Sequence, residues 1–238
     1  MEKESIIIPL DVSTSDEAVK LVTNLKDSVG AFKVGLELVN NCGFEIFDVI
    51  KNAGAEKIFY DCKFHDIPNT VAGASAGAAR LGVWMFNVHA MGGKKMMEAA
   101  RKSAEETCER LSIPKPLVIA VTILTSIDKE TLNFDLRVDG NVENQVVHLA
   151  KLAKEAGLDG VVASPLEVKS IRQAIGEDFL IVTPGVRPYG SDTGDQKRVM
   201  TPKDAINAGS NYLVIGRPII HADDPVKAAN EIAGSISR

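Results

Sequence analysis

The residues best suited to chemistry in this chain are Asp61, Lys63 and Asp66, in the run Asp61-Cys62-Lys63-Phe64-His65-Asp66. Two carboxylates and an ammonium so close together can exchange a proton or hold fixed charge against a polar transition state. The run closes the apolar stretch 57–63, so strand alternation predicts Asp61 and Lys63 on one face and Cys62 on the other. Taken alone, the D-x-K pattern reads better as a structural ion-pair cluster. Asp11 and Lys33 weigh against that reading, because both fall at the mouths of adjacent strands. Five alternating charges at three neighbouring strand ends are costly as a stabilising device and suit a preorganised electrostatic array.

A second group carries anion chemistry. One apolar run ends in Thr183-Pro184-Gly185-Val186-Arg187 and the last ends in Ile215-Gly216-Arg217-Pro218. Gly216 permits close backbone approach, and Arg217 is expected at the N-terminus of the final helix. A cation there is unfavourable unless an anion such as phosphate sits beside it. The segment 187–198 has no apolar period and exceeds the usual connection length, so it reads as a surface loop or as a lid over that anion. Asn87 and His89 fit either ligand contact or structural hydrogen bonding. Thr125-Ser126 is a loop hydroxyl pair suited to a ligand or a turn. Met91, Met96 and Met97 read as core filler.

These groups need elements to hold them. Short apolar, β-branched runs occur at 5–11, 31–35, 57–63, 83–89, 117–123, 159–163, 179–183 and 211–215. Helical-period stretches alternate with them near 16–28, 40–53, 69–81, 93–110, 142–156, 166–175, 202–208 and 224–236. Gly30, Gly54, Gly82, Gly157 and Gly209 fall at helix-to-strand joints. Near-continuous apolar strands indicate a parallel sheet buried on both faces. Eight even βα units without a GxGxxG after the first strand predict one TIM (β/α)8 barrel domain over 1–238, with its chemistry at the C-terminal strand ends.

Composition removes other classes. The chain has 238 residues, 45% hydrophobic and 25% charged, a globular balance that argues against disorder. No apolar run nears the roughly 18 residues needed to span a bilayer, and the first residues are acidic where a signal peptide is basic. Three cysteines without a CxxC pair fit reduced thiols, so a cytoplasmic location is expected. A net charge of −5 disfavours nucleic-acid binding. Four scattered histidines show no metal-ligand spacing and read as buried or surface residues, so no metal site is expected.

The residues closely resemble the orotidine 5′-monophosphate decarboxylases, a family of barrel enzymes of pyrimidine biosynthesis. The likeness spans nearly the whole chain. It rests on Leu10-Asp11-Val12, Phe32-Lys33-Val34-Gly35, Asp61 to Asp66 continued by Ile67-Pro68-Asn69-Thr70, and Asn87-Val88-His89-Ala90. It continues through Thr122 to Ser126, Thr183 to Arg187, Gly194 to Arg198 and Val214 to Pro218. Related sugar-phosphate lyases share D-x-K-x-x-D but not the Ile-Pro-Asn-Thr tail. Cys62 stands where the family usually has Leu, a tolerated core substitution on the face away from the site.

The resemblance implies a role for each matched residue. Lys63 would protonate C6 of the pyrimidine as carbon dioxide leaves, and Asp61 would lie beside the substrate carboxylate. Lys33 and Asp66 of a second subunit would complete the charge network, making the enzyme a homodimer. Asp11 and Lys33 would hold ribose hydroxyls, helped by Thr70 from the second subunit. Thr125 would meet the pyrimidine, Gln196 would bridge base and phosphate, and Arg187, Gly216 and Arg217 would take the phosphate. Neither metal nor organic cofactor is implied. The alternatives are a Mg²⁺-dependent sugar-phosphate decarboxylase or aldolase of the same superfamily, and a barrel that binds a phosphoribosyl ligand without turnover.

Overall fold

The computed structural model describes residues 2–188 and 200–236. Eight parallel strands close a barrel in chain order. They are β1 (Ile6–Pro9), β2 (Ala31–Val34), β3 (Ile58–Phe64), β4 (Met85–His89), β5 (Leu117–Val121), β6 (Gly160–Val162), β7 (Leu180–Pro184) and β8 (Tyr212–Val214). All eight expected strands are present, mostly trimmed by one or two residues at the ends. Between them run α1 (Ser15–Leu25), α2 (Leu36–Cys42), α3 (Ile46–Asn52), α4 (Pro68–Arg80) and α5 (Lys94–Leu111). The rest are α6 (Val142–Glu155), α7 (Val168–Ile175), α8 (Pro202–Ala208), α9 (Arg217–Ile220) and α10 (Pro225–Ser235).

Two expectations about the helices need correction. The single helix over 40–53 is two helices, α2 and α3, because Gly43 takes φ +72° and ends the first. A left-handed residue terminates a helix however well its apolar period continues. Arg217 begins the four-residue α9 rather than the final helix, since Asp224 caps a separate start for α10. The joint glycines 54, 82, 157 and 209 have positive φ, as a helix end followed by a strand requires. Gly30 has a different reason: a Cβ there would run into the Glu4 backbone.

Strand alternation divides the core in two. Side chains facing outward from the strands pack beneath the helices in one large apolar shell. Facing inward, Ile7, Ala31, Phe59, Met85, Ile119, Val182 and Val214 form a second cluster that fills the barrel. The register sets Ile7 beside Ala31 and Val214, and Phe59 beside Met85. Trp84 and Tyr212 meet edge to face at 5.1 Å against this cluster, at the N-terminal strand ends. Each of these large side chains contributes about 1.5–3 kcal/mol on burial, which offsets the charges the same strands carry at the other end. Met96 and Met97 are core residues as expected, but Met91 is 41% exposed. It lies in a short turn that leads into α5, not on the helix face that packs.

Candidate active site

Two residues above that inner cluster the strands turn polar. The inward positions there belong to Lys33 on β2, Asp61 on β3 and Asn87 on β4. The Lys33 ammonium lies 3.1 Å from Asp11 Oδ1 and 3.3 Å from Asp61 Oδ2. The other Asp61 oxygen, Oδ1, accepts from Lys63 Nζ at 2.7 Å. The result is an unbroken alternating series, Asp11–Lys33–Asp61–Lys63. Its exposure is graded: the Asp61 and Lys33 side chains are 13% and 11% exposed, Lys63 31% and Asp11 59%. A Cβ on Gly35 would lie 3.1 Å from the Lys33 ammonium, so a residue without a side chain leaves room for it.

The electrostatics follow from the geometry. Burial alone would raise the Asp61 pKa, but Lys33, Lys63 and hydrogen bonds from Lys63 and Asn87 outweigh it and hold the carboxylate below its ordinary range. Burial is likewise the largest single influence on Lys33, acting to lower it. The nearby charges of Asp61 and Asp11 together prevail and hold the ammonium above its usual value. Both groups are therefore charged at neutral pH. His89 behaves differently: burial, then the neighbouring His65 and Lys63, lower its pKa to about 4, so it is a neutral imidazole at pH 7. His65 and His89 lie with ring centroids 5.3 Å apart.

The backbone of β3 is irregular where it delivers Lys63. Tyr60 pairs with Phe86, yet Phe64 pairs with Val88, so four steps along β3 match two along β4. Lys63 sits in this bulge with φ +49°, a left-handed conformation that a non-glycine residue holds at a cost of about 1–3 kcal/mol. Its displaced N–H donates to Asn87 Oδ1 at 2.7 Å. Asn87 Nδ2 donates to Asp61 Oδ1, also at 2.7 Å. Asp61 and Lys63 do share a face and Cys62 faces away, but not through regular pairing. The Cys62 thiol is buried, donates to the Asn87 carbonyl and has its pKa pushed by burial to about 12.

A cavity of about 180 Å³ opens over these charges. Lys33, Asp61 and Lys63 form one wall, with Thr125 on its rim, and Val121, Val162, Val182 and Pro184 form an apolar wall. A larger hollow of about 330 Å³ at the opposite end mixes Lys3, Lys26 and Lys57 with Glu4 and Glu56 and converges on nothing. On the β7–β8 side of the mouth, Arg187 is buried and donates from Nη1 to the Val186 carbonyl. Gly216 and the exposed Arg217 open α9 there. Asp66 and Thr70 are exposed and do not join the charged series within this chain. The Asp66 carboxylate accepts the Ile67 N–H at 2.6 Å, and Thr70 lies in the first turn of α4. Gln196 and the expected lid from 189 onward lie outside the described residues. Among the described residues no three His, Cys, Asp or Glu side chains converge as metal ligands. None of the described helices is long and apolar enough to cross a membrane.

The role of Asn87 was open in the sequence. An amide at a buried inward position of an apolar strand must find partners. Nothing in the sequence says that those partners are Asp61 and Lys63.

Comparison with known proteins shows the family. Residues 4–232 match the model of the orotidine 5'-phosphate decarboxylase / HUMPS family. The chain belongs to that family. It is 53% identical to the orotidine 5'-phosphate decarboxylase of Moorella thermoacetica over 98% of this chain and 92% of that protein. Identity to the enzyme of the same name from Syntrophotalea carbinolica is 52%, over 97% and 93%. The crystal structure of orotidine 5'-phosphate decarboxylase from Lactobacillus acidophilus superposes with a TM-score of 0.86 at 38% identity, covering 98% of this chain and 99% of that one. Membership in this family and the closed barrel are both as the sequence motifs implied.

Proposed function

We propose that this chain decarboxylates orotidine 5′-monophosphate to UMP and carbon dioxide in pyrimidine biosynthesis, with Lys63 as the proton donor. The observation that carries the reading is the alternating series Asp11–Lys33–Asp61–Lys63, ion-paired and half-buried beside an apolar wall. When the bond from C6 to the carboxylate breaks, its electron pair stays on C6 in the ring plane. It is orthogonal to the π system, so the ring cannot delocalise it. Fixed charge must stabilise it instead, and charge held before the reaction needs no reorganisation. The Lys63 ammonium then gives its proton to C6 and carbon dioxide departs as a neutral molecule. His89, neutral at pH 7, has no second ring proton to give up as an acid, which favours Lys63 in that role.

Asp61 holds both ammonium groups and would lie near the substrate carboxylate. Asp11 and Lys33 would take ribose hydroxyls and Thr125 the pyrimidine. Arg187, Gly216 and Arg217 would bind phosphate, with Gln196 linking base to phosphate. Contacts to phosphate and ribose, remote from C6, are binding energy available for assembling the charges around the reacting carbon. The exposed Asp66 and Thr70 would serve the site of a second subunit, so the working form would be a homodimer. Neither metal nor organic cofactor enters the scheme, and buried free thiols at Cys62 and Cys108 suit a cytoplasmic enzyme.

The test is ultraviolet absorbance of the protein with orotidine 5′-monophosphate in excess EDTA, beside Lys63→Ala. Conversion by the wild type, and its collapse with nucleotide affinity retained in Lys63→Ala, is expected. Near-normal turnover in the variant would remove Lys63 from the role. Wild-type binding without conversion would leave a phosphoribosyl-binding barrel. Mixing inactive Lys63→Ala and Asp66→Asn subunits should restore activity if sites are shared. No recovery despite subunit exchange would refute the sharing.

A further inference from the structure

We infer that Asn87 is a positioning residue that holds both the backbone of Lys63 and the carboxylate of Asp61 in place. The inference rests on the proton-donor role proposed for Lys63. Asn87 is fully buried and absent from the cavity wall, so it acts through its neighbours and not on substrate. A single planar amide meets opposite demands at its two ends. The Lys63 N–H requires an acceptor and the Asp61 carboxylate requires a donor, which orients the amide without ambiguity. The Asn87 backbone carbonyl accepts from the Cys62 thiol at 3.0 Å. Asn87 therefore holds three consecutive residues of β3 from one position on β4.

Lys63 needs this hold. In a regular parallel strand φ at this position would be negative and the N–H, alternating with its neighbours, would point to the β2 side. The irregular register between Tyr60 and Phe64 and the positive φ turn the Lys63 N–H towards β4, where the Asn87 side chain accepts it. An N–H left unmet in this part-buried setting would favour return of β3 to regular pairing, which would carry the Lys63 side chain off its line. A misplacement of about 1 Å can cost on the order of 100-fold in rate. The other end of the amide is one of the donors that keep Asp61 ionised against burial. No other neutral side chain of this length carries a donor and an acceptor on one plane.

The experiment measures kcat and KM for orotidine 5′-monophosphate from pH 5 to 9 in wild type, Asn87→Ala, Asn87→Asp and Lys63→Ala, with folding followed by circular dichroism. Asn87→Ala should lose about 100-fold in kcat with KM nearly unchanged. Asn87→Asp keeps the acceptor for Lys63 but sets a carboxylate against Asp61, and two such carboxylates share one proton. Its kcat relative to wild type should therefore rise as the pH falls, because the shared proton restores the donor. A merely structural residue would give a profile parallel to wild type.

Wild-type kcat in Asn87→Ala, or a parallel profile in Asn87→Asp, would overturn the inference. Should Asn87→Ala fail to fold, the near-isosteric Asn87→Asp carries the test alone. If neither folds, the residue is structural and the inference falls. Lys63→Ala separates the two claims. Its collapse beside normal Asn87 variants removes only the positioning role, whereas its full activity removes the proton-donor reading and this inference with it.

Discussion

Lys33 and Arg172 are both buried cations in the same barrel, one at the C-terminal mouth and the other at the opposite rim. Arg172, on α7, donates to the carbonyls of Gly176, Glu177, Phe179 and Gly209 and to Asn211 Oδ1. Those acceptors are neutral. The one carboxylate nearby, on Glu177, is 3.6 Å away and 82% exposed. The guanidinium ties the end of α7 and the start of β7 to the joint between α8 and β8, so its charge serves to satisfy backbone. Lys33 instead spends its ammonium on two carboxylates, and one of those holds a second ammonium. A fork among carbonyls stabilises a fold, whereas ions paired with ions in a part-buried mouth hold a field for something else.

That contrast breaks most sharply by removing the cation at each end. Lys33→Ala should lower turnover by about 10²–10³-fold, measured by the absorbance assay, with a small change in thermal midpoint. Arg172→Ala should do the reverse: about 3 kcal/mol of stability lost in denaturant melts, with kcat of the folded enzyme unchanged. Equal losses of activity and stability in both variants would erase the distinction. Arg172→Lys should recover less than half of the loss, since one ammonium cannot reproduce the fork.

Smaller effects sharpen the picture within the mouth. Arg217→Ala should weaken phosphate-bearing ligands by about 1.5–3 kcal/mol in a titration while leaving the bare nucleoside unaffected. Equal weakening of both would reassign the residue. Lys63→Gly and Lys63→Ala both delete the ammonium, but only glycine relaxes at φ +49°. The glycine variant should therefore be about 1 kcal/mol the more stable in urea.

The smallest effect is on the pH profile of stability. Asp61, held low, contributes stability that is present above the ordinary carboxylate pKa and lost as pH falls through its folded value. Lys33, held high, contributes stability present below the ordinary lysine pKa and lost as pH rises through its folded value. His89, lowered from 6.5 to about 4, withholds a proton the unfolded chain would bind, so stability declines as pH falls across that window. His89→Gln should flatten that part of the melting profile and leave the alkaline limb alone.

Legibility differed between these regions. The barrel was readable because its strands are local apolar runs whose type does not depend on distant partners. The break at Gly43 was not, since a left-handed residue leaves the apolar period of α2 and α3 intact. The charged series was readable in membership: Asp11, Lys33, Asp61 and Lys63 lie in or just past the C-terminal halves of three adjacent strands, and a parallel barrel brings such ends together. Arg172 was overlooked because its partners are backbone carbonyls, and backbone carbonyls have no residue signature.

The order and spacing of apolar runs, together with the residue types at their ends, were enough to specify a barrel, the rim that bears charge and the four ions that meet there. Each of these follows from chain-local periodicity and from the rule that parallel strands point the same way. Tertiary structure alone decided how Lys63 is presented. Its left-handed backbone, the slipped register of β3 and the amide of Asn87 that meets both Asp61 and Lys63 arise from pairing between strands 24 residues apart. A lysine has no local preference for that conformation. The hydrogen bond from its N–H to Asn87 on β4 helps to offset that strain, and this partner is in place only once β3 and β4 have paired.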